Sequence, residues 1–177
     1  LMDVPTYPRL LFITDAAVNV APDLETKVDI VQNAIDLAHM LKIADPKVAV
    51  LAAVETVNFK MQATLDAAAL CKMADRGQIT GGLLDGPLAF DNAISIAAAR
   101  TKGIVSEVAG QADILVVPDL ESGNMLAKQL IFLGGAASAA GRPRRRSATS
   151  CGRRARQTGE TRARRPPRRC AAACAAA

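Results

Sequence analysis

Asp119, Gly123, Asn124 and Lys128 stand within ten positions of one another, and their side chains suit the binding of an anion. Lys128 offers a cation to phosphate oxygens, Gly123 lets a ligand approach the backbone, and Asn124 can cap a helix or face outward. The free N–H groups and the dipole at a helix start also favour anions. The alternative is an ordinary strand-to-helix turn with Lys128 as a solvated helix residue.

The residues around this group predict a strand, a polar elbow and a helix. Residues 114–117 form an apolar run of strand character, Pro118 ends it, and a helical pattern begins at Met125. In α/β proteins, ligands bind where the carboxyl ends of strands meet the amino ends of helices. The segment 112–128 is therefore the first candidate for a functional site.

Two further polar loops follow predicted strands. Asp15 and Asn19 come after a strand at residues 9–14, and residues 55–58 come after a strand at residues 47–53. Asp15 and Asn19 either face a ligand or bond only the amides of their own loop, as Asx residues commonly do. Residues 55–58 either face a cleft or form a solvated connection.

The segment 79–91 predicts a strand, a turn and the entry to a helix. Leu83 and Leu84 supply the strand, residues 85–87 read Asp-Gly-Pro and predict the turn, and Asp91 or Asn92 is expected to cap a helix over residues 92–102. Two longer helices are expected over residues 24–41 and 62–74. This alternation predicts an α/β fold with a mainly parallel sheet flanked by helices.

The net charge of +5 averages two unlike segments. Residues 1–141 hold 10 Lys and Arg against 16 Asp and Glu, whereas residues 142–177 hold 12 Arg and a single Glu.

No signal peptide or membrane span is expected. Cys71 is the only thiol before the basic segment. It is expected to be a buried structural residue, and a single thiol indicates a reducing, cytoplasmic setting. His39 has no partner at metal-ligand spacing, so no metal site is expected.

Three segments together resemble the phosphate acetyl/butyryltransferase family, and are most similar to its butyryltransferase-like branch. They are LLFITDAAVN at residues 10–19, DGPLAFDNAIS at residues 85–95 and ADILVVPDLESGNMLAKQL at residues 112–130. The resemblance covers residues 7–136. It implies two α/β subdomains around a cleft, of which this chain would be the second, so that the chain would be a fragment. Members exchange the CoA of an acyl-CoA for inorganic phosphate, which makes CoA a substrate and implies no bound cofactor.

The resemblance also implies which residues border the cleft. It assigns substrate binding to Asp85, Gly86, Asp91, Asp119, Gly123, Asn124 and Lys128. The family's catalytic set, a Ser-Arg pair followed by an Asp, has no counterpart here, because Ser147 and Ser150 are not followed by Arg and residues 142–177 contain no Asp. No catalytic residue is therefore assigned, and the chain is expected to be inactive. The expected partners are acyl-CoA and phosphate, with no membrane, and the parent protein is expected to be a homo-oligomer.

Two domains are expected, an α/β domain over residues 1–136 and a disordered Arg/Ala/Pro-rich tail over residues 137–177. Residues 134–177 contain no Val, Ile, Leu, Met, Phe, Tyr or Trp, so no strand or core is expected there. Ala, Arg, Gly and Pro make up 26 of residues 142–177. All four have codons written only with G and C, which favours out-of-frame translation from near Ala137. The coding DNA tests this, since another frame should then encode an apolar strand, a Ser-Arg pair and an Asp.

Two other functions fit parts of the sequence. A non-catalytic acyl-CoA-binding or regulatory module of the same fold would bind its ligand without turnover. The Arg clusters could instead bind nucleic acid through phosphates, although aromatic residues for base stacking are absent from them. Phosphate acyltransferase activity of the parent protein is the preferred hypothesis.

Overall fold

The computed structural model describes residues 1–140. Its centre is a parallel sheet of four strands, in the order β2, β5, β3, β4. The strands are β2 (Phe12–Thr14), β3 (Lys47–Leu51), β4 (Leu83–Leu88) and β5 (Ile114–Val116). The pairings β2·β5, β5·β3 and β3·β4 are all parallel. Short apolar runs form the middle strands because a parallel sheet is buried on both faces.

Helices cover both faces of this sheet. One core cluster joins Val48, Val50 and Val116 to α1 (Leu24–Met40) and α2 (Gln62–Asp75). A second cluster joins Leu51, Leu115 and Val117 to the other helices. These are α3 (Phe90–Ile94), α4 (Ile96–Thr101) and α5 (Leu120–Phe132). The predicted α/β fold, with a mainly parallel sheet flanked by helices, is confirmed.

The predicted turn at residues 85–87 is wrong, because Asp85, Gly86 and Pro87 all lie in β4. Proline has no N–H to give to a ladder, but β4 is an edge strand that pairs only with β3, so this loss is tolerated. The register of the β3·β4 pair shifts between Ala49 and Leu51, opposite this segment. An edge strand with an irregular register therefore accommodates residues that usually make a turn.

The single helix predicted over residues 92–102 is also wrong. Ser95 ends α3 and caps α4, since its Oγ accepts a hydrogen bond of 3.3 Å from the Ala98 N–H. Ala89, rather than Asp91 or Asn92, is the N-cap of α3. Asn92 is fully buried, and its Nδ2 donates to Glu55 Oε1 at 2.5 Å, so this side chain joins α3 to the loop after β3.

A second, two-stranded sheet corrects the prediction for the residues after 134. β1 (Met2–Asp3) pairs antiparallel with β6 (Ala137–Ser138), and Ala136 is buried beside it. Alanine and serine side chains do not predict a strand, but the backbone of β1 supplies the missing partner. The rest of the predicted disordered tail, residues 141–177, lies outside the described residues, and the boundary at residue 136 stays a prediction. No helix within residues 1–140 has the length and apolar character needed to cross a membrane.

Cys71 was predicted to be a buried structural thiol, and the structure places it partly buried in α2, where the thiol lies 3.7 Å from the Gly86 carbonyl oxygen. Burial raises the pKa of Cys71 to about 12, with the nearby charge of Asp85 adding to the effect. A thiol with that pKa stays protonated throughout the neutral range.

Cys71 should therefore react at least about 10²-fold more slowly than an ordinary thiol with a disulfide reagent at pH 8. The measurement uses a variant in which Cys151, Cys170 and Cys174 are replaced by serine. The same variant unfolded in guanidinium is the reference. Equal rates in the folded and unfolded states would contradict the prediction.

Candidate functional site

The carboxyl ends of β2 and β5 meet the start of α5 at one edge of the sheet. Asp119 is the N-cap of α5, and its Oδ1 accepts hydrogen bonds from the Ser122 N–H at 2.8 Å and the Ser122 hydroxyl at 2.7 Å. These bonds hold the pKa of the Asp119 carboxyl below its usual value, the Ser122 N–H contributing most and the charge of Lys27 also lowering it. Asp119 is thus an ionised helix cap.

Of the two roles that the sequence leaves open for Asn124, capping a helix or facing outward, the structure excludes the cap. The helix begins at Leu120, so Asn124 lies within α5 rather than before it. The Asp119 carboxylate with Ser122 three residues later satisfies the first-turn amides better than a single Asn side chain. The Asn124 amide is left to contact the loop after β2, where its Nδ2 lies 3.5 Å from the Ala16 carbonyl oxygen.

The first amides of α5 are already bonded within the chain. The Leu120 N–H donates to the Val20 carbonyl at 3.0 Å, and the Ser122 N–H donates to the Asp119 carboxylate. A free N–H at a helix start is what usually receives an anion. An anion at this edge of the sheet would therefore depend on side chains, chiefly those of Asn124 and Lys128, rather than on these two amides.

Gly123 provides the close contact between α5 and the loop after β2. A Cβ atom at this position would lie 2.7 Å from Val117 Cγ2, 3.0 Å from Ala16 Cα and 3.1 Å from the Asp15 carbonyl oxygen. Glycine was expected to admit a ligand, but the group that approaches it here is the chain's own backbone. Gly123 thus sets how closely the helix and the loop pack.

Gly123→Ala should destabilise the protein by about 1–3 kcal/mol, because neither backbone neighbour can move without shifting the loop. Urea unfolding of the whole chain measures the change. Gln129→Ala, on the exposed side of the same helix, is the matched control and should change stability by less than about 0.5 kcal/mol. An unchanged midpoint for Gly123→Ala would show that the close contact does not constrain this site.

Asp15 and Asn19 bond their own loop. Asp15 Oδ2 accepts from the Asn19 N–H at 2.8 Å and from Asn19 Nδ2 at 2.7 Å, and Oδ1 accepts from the amides of Ala17 and Val18 at 3.1 Å and 3.0 Å. Of the two interpretations open from the sequence, the structure shows the loop-bonding one. Asp15 shapes the loop that faces Gly123 and Asn124.

A cavity of about 520 Å³ opens between this loop and α5. Asn124 and Lys128 line its helix side, and Thr14 and Asp15 line its loop side. Lys128 is exposed and makes no ion pair with any residue from 1 to 140. Its ammonium group is therefore available to an anion that enters the cavity.

The other predicted binding residues lie across the sheet. Asp85 and Gly86 are in β4, and β3 separates β4 from β5. Asp85 Oδ1 accepts a 2.8 Å hydrogen bond from the Gly86 N–H. Asp91 is exposed in α3, just beyond the carboxyl end of β4. Parallel strands put Asp91 at the same edge of the sheet as Asn124, but the structure does not bring the two groups into contact.

A buried ion pair at this edge was not predicted from the sequence. Lys27 Nζ in α1 lies 2.6 Å from Asp66 Oδ2 in α2, and Gln62 Nε2 donates to Asp66 Oδ1 at 2.7 Å. In the sequence, Lys27 lies beside the apolar stripe of α1. A solvated lysine can occupy the same position, so the sequence pattern does not indicate that Lys27 is buried. Within residues 1–140, no cluster of His, Cys, Asp and Glu side chains could hold a metal ion.

Comparison with known proteins identifies relatives of this chain. Over 133 residues it is 68% identical to a phosphate acetyltransferase of Rhizobium meliloti, covering 75% of this chain and 42% of that protein. Over 132 residues it is 51% identical to a phosphate butyryltransferase of Clostridium acetobutylicum, covering 75% and 44%. The chain thus spans less than half the length of these relatives.

A solved structure shares the fold. The branched-chain phosphotransacylase from Enterococcus faecalis V583 superimposes with a TM-score of 0.71 at 36% sequence identity, covering 76% of this chain and 48% of that one. Residues 1–141 match the family model described as "Phosphate acetyl/butaryl transferase". On this evidence, the chain belongs to the phosphate acetyl/butaryl transferase family.

Proposed function

We propose that the whole protein exchanges the CoA of an acyl-CoA for inorganic phosphate, giving an acyl phosphate and CoA. Membership of the family, with the match extending over residues 1–141, is the observation that carries the proposal. In this reaction a phosphate oxygen attacks the thioester carbonyl carbon, the C–S bond breaks, and the CoA sulfur leaves as a thiolate that takes up a proton. Direct attack of one substrate on the other is proposed, since no residue from 1 to 140 is placed as a covalent nucleophile.

In this proposal Lys128 and Asn124 hold the phosphate in the cavity beside α5. The ammonium group of Lys128 is exposed, lacks an ion pair within the described chain and lies near an amide that can donate to a phosphate oxygen. Gly123 and Asp119 position these side chains by fixing the start and the packing of α5. Positioning and charge stabilisation are the main contributions a protein makes to such a transfer.

Asp85, Gly86 and Asp91 are proposed to form a second wall for acyl-CoA. Asp91 follows the carboxyl end of β4, at the same edge of the sheet as the cavity lined by Lys128. Strands in a sheet are about 4.8 Å apart, so a ligand of about 10–15 Å is needed to reach from β4 to the edge at β2. CoA is long enough to do so.

Residues 142–177 contain no Asp and no Ser-Arg pair, so we propose that the 177-residue chain does not catalyse the transfer by itself. The out-of-frame origin of the sequence after residue 137 is part of this proposal. Phosphate-dependent release of CoA from acetyl-CoA by the purified chain would contradict it.

A chimera tests the proposed function directly. Residues 1–136 replace the aligned segment of the Rhizobium meliloti phosphate acetyltransferase, which is 68% identical over the matched residues. The chimera should release CoA from acetyl-CoA only when phosphate is present. A folded chimera that binds acetyl-CoA without turnover would instead favour a non-catalytic acyl-CoA-binding module.

We also propose a cytoplasmic, homo-oligomeric parent protein. Cys71 is unpaired and partly buried, which suits a reducing compartment. Met125, Phe132 and Leu133 of the α5 region expose apolar side chains, which suits burial against another chain or further polypeptide. Sedimentation of the chimera checks the oligomeric part of this proposal.

A further inference from the structure

A second groove, of about 760 Å³, lies beside the segment before β2, between it and helices α3 to α5. Leu11 and Gln111, which line it, come just before β2 and β5, so the groove opens near the amino ends of these strands. It shares no lining residue with the cavity beside Lys128. Its volume falls within the range of about 300–1,000 Å³ that is typical of small-molecule sites.

Apolar and aromatic side chains make most of the wall. Phe90, Ile94, Ile96 and Leu130 line the helix side, and Tyr7 lies opposite in the segment before β2. The Tyr7 hydroxyl donates to the Ala112 carbonyl oxygen at 2.7 Å, which fixes the ring against the sheet. The groove therefore offers a preformed surface to a hydrocarbon group.

Arg9 is the single charged residue among the described residues that line the groove. Its Nη1 lies 2.9 Å from Asp113 Oδ1, and its side chain remains 39% exposed. Asp113 is buried and also accepts from the Lys47 N–H at 3.0 Å, so the partner of Arg9 is firmly held. A guanidinium has five N–H donors, so an Arg that bonds one carboxylate can still bind another anion.

We propose that this groove binds a small amphiphilic carboxylate, whose charged head pairs with Arg9 and whose hydrocarbon part lies along Tyr7 and Phe90. A guanidinium with exposed N–H donors on a mostly apolar wall complements a ligand with one negative end and an apolar body. A neutral lipid would leave the exposed N–H donors of Arg9 without an acceptor in the ligand, and an inorganic anion would leave the apolar wall uncovered. The inference does not depend on the proposed acyltransferase activity, because the groove shares no lining residue with the cavity beside Lys128.

The protein carries its own reporter for this groove. Tyr7 is the only tyrosine in the chain, and there is no tryptophan, so the tyrosine fluorescence of the full chain comes from the groove alone. Titration with octanoate should change this fluorescence saturably, whereas octanol and inorganic phosphate should bind at least about 10-fold more weakly. A factor of ten corresponds to about 1.4 kcal/mol, which the loss of a charge-assisted hydrogen bond is sufficient to cause.

Two variants test the assignment. Arg9→Gln should weaken octanoate binding by at least about 10-fold. Ile96→Asp, at a position that is 45% exposed, should weaken octanoate binding similarly. It places a negative charge in the groove, which repels the octanoate carboxylate, and it removes no internal contact of Arg9. Arg76→Gln, an exposed arginine at the end of α2, is the matched control and should bind octanoate as the unchanged chain does.

Several results would overturn the proposal. These are the absence of saturable octanoate binding, equal affinity for octanol, and unchanged affinity in both Arg9→Gln and Ile96→Asp. If octyl phosphate binds and its affinity depends on Arg9, while octanoate does not bind, then the ligand is a phosphate ester and the proposed carboxylate is wrong. Thermal melts of each variant separate a lost ligand site from a lost fold, since Ile96→Asp keeps the Arg9–Asp113 pair.

Discussion

Asp66→Ala should lower the free energy of unfolding by about 3–5 kcal/mol, because it leaves a buried ammonium group without its carboxylate partner. Lys27 Nζ lies 2.6 Å from Asp66 Oδ2, and the two side chains are only 7% and 8% exposed. Solvent can replace little of the lost interaction at such a site. Removal of the carboxylate also leaves Gln62 Nε2 without its 2.7 Å acceptor. Urea unfolding followed by circular dichroism measures the change.

A double substitution and an exposed ion pair are the controls for this prediction. Lys27→Met with Asp66→Leu removes both charges and should cost much less than Asp66→Ala, since a buried ion pair is often replaced by apolar groups at little cost. Asp75→Ala breaks the Lys72–Asp75 pair, whose side chains are 64% and 65% exposed, and should change stability by less than about 1 kcal/mol. Equal losses for Asp66→Ala and Asp75→Ala would contradict the argument.

The buried pair also bears on the candidate site. Lys27 lies in the second turn of α1 and Asp66 in the first turns of α2, so their contact ties together helices that follow β2 and β3. The charge of Lys27 contributes to the lowered pKa of Asp119 at the start of α5. The Lys27 ammonium group thus contacts α2 through Asp66 and favours the ionised form of Asp119 at the start of α5 by its charge.

The fold could be predicted from the sequence because its signals are local. Residues 47–51 and 114–116 are short apolar runs, and residues 24–40 repeat apolar side chains at helical spacing. The segment at Asp85 and Pro87 was misjudged because a local turn pattern was overridden by pairing with β3. Strand β6 was missed because its partner, β1, is more than a hundred residues away in sequence.

The site was only partly predictable for the same reason. The grouping of Gly123, Asn124 and Lys128 with the loop after β2 follows from the parallel sheet, in which carboxyl ends share one edge. The pairing of Lys27 with Asp66 depends on the angle and distance between two helices, which hydrophobic spacing does not set. The same holds for Asn92 and Glu55, which are separated by 37 positions.

Lys128→Met in the chimera with the Rhizobium meliloti enzyme should lower kcat/KM for phosphate by about 10²-fold or more. Lys128 lines the cavity beside α5 and has no ion pair among residues 1–140, so its charge is free to act on a bound anion. Methionine keeps the apolar stem and removes only the charge. Initial rates at varied phosphate, with acetyl-CoA saturating, measure the effect.

The way in which kcat/KM falls identifies what Lys128 does. A rise in KM for phosphate at constant kcat means that the charge holds phosphate equally in the ground state and the transition state, whereas a fall in kcat means that it acts on charge developed during transfer. Lys128→Arg keeps the cation and should retain part of the activity. Lys72→Met, an exposed lysine at the end of α2, is the matched control and should leave both constants unchanged. If Lys128→Met behaves like Lys72→Met, Lys128 is a solvated helix residue and the phosphate is bound elsewhere in the cleft.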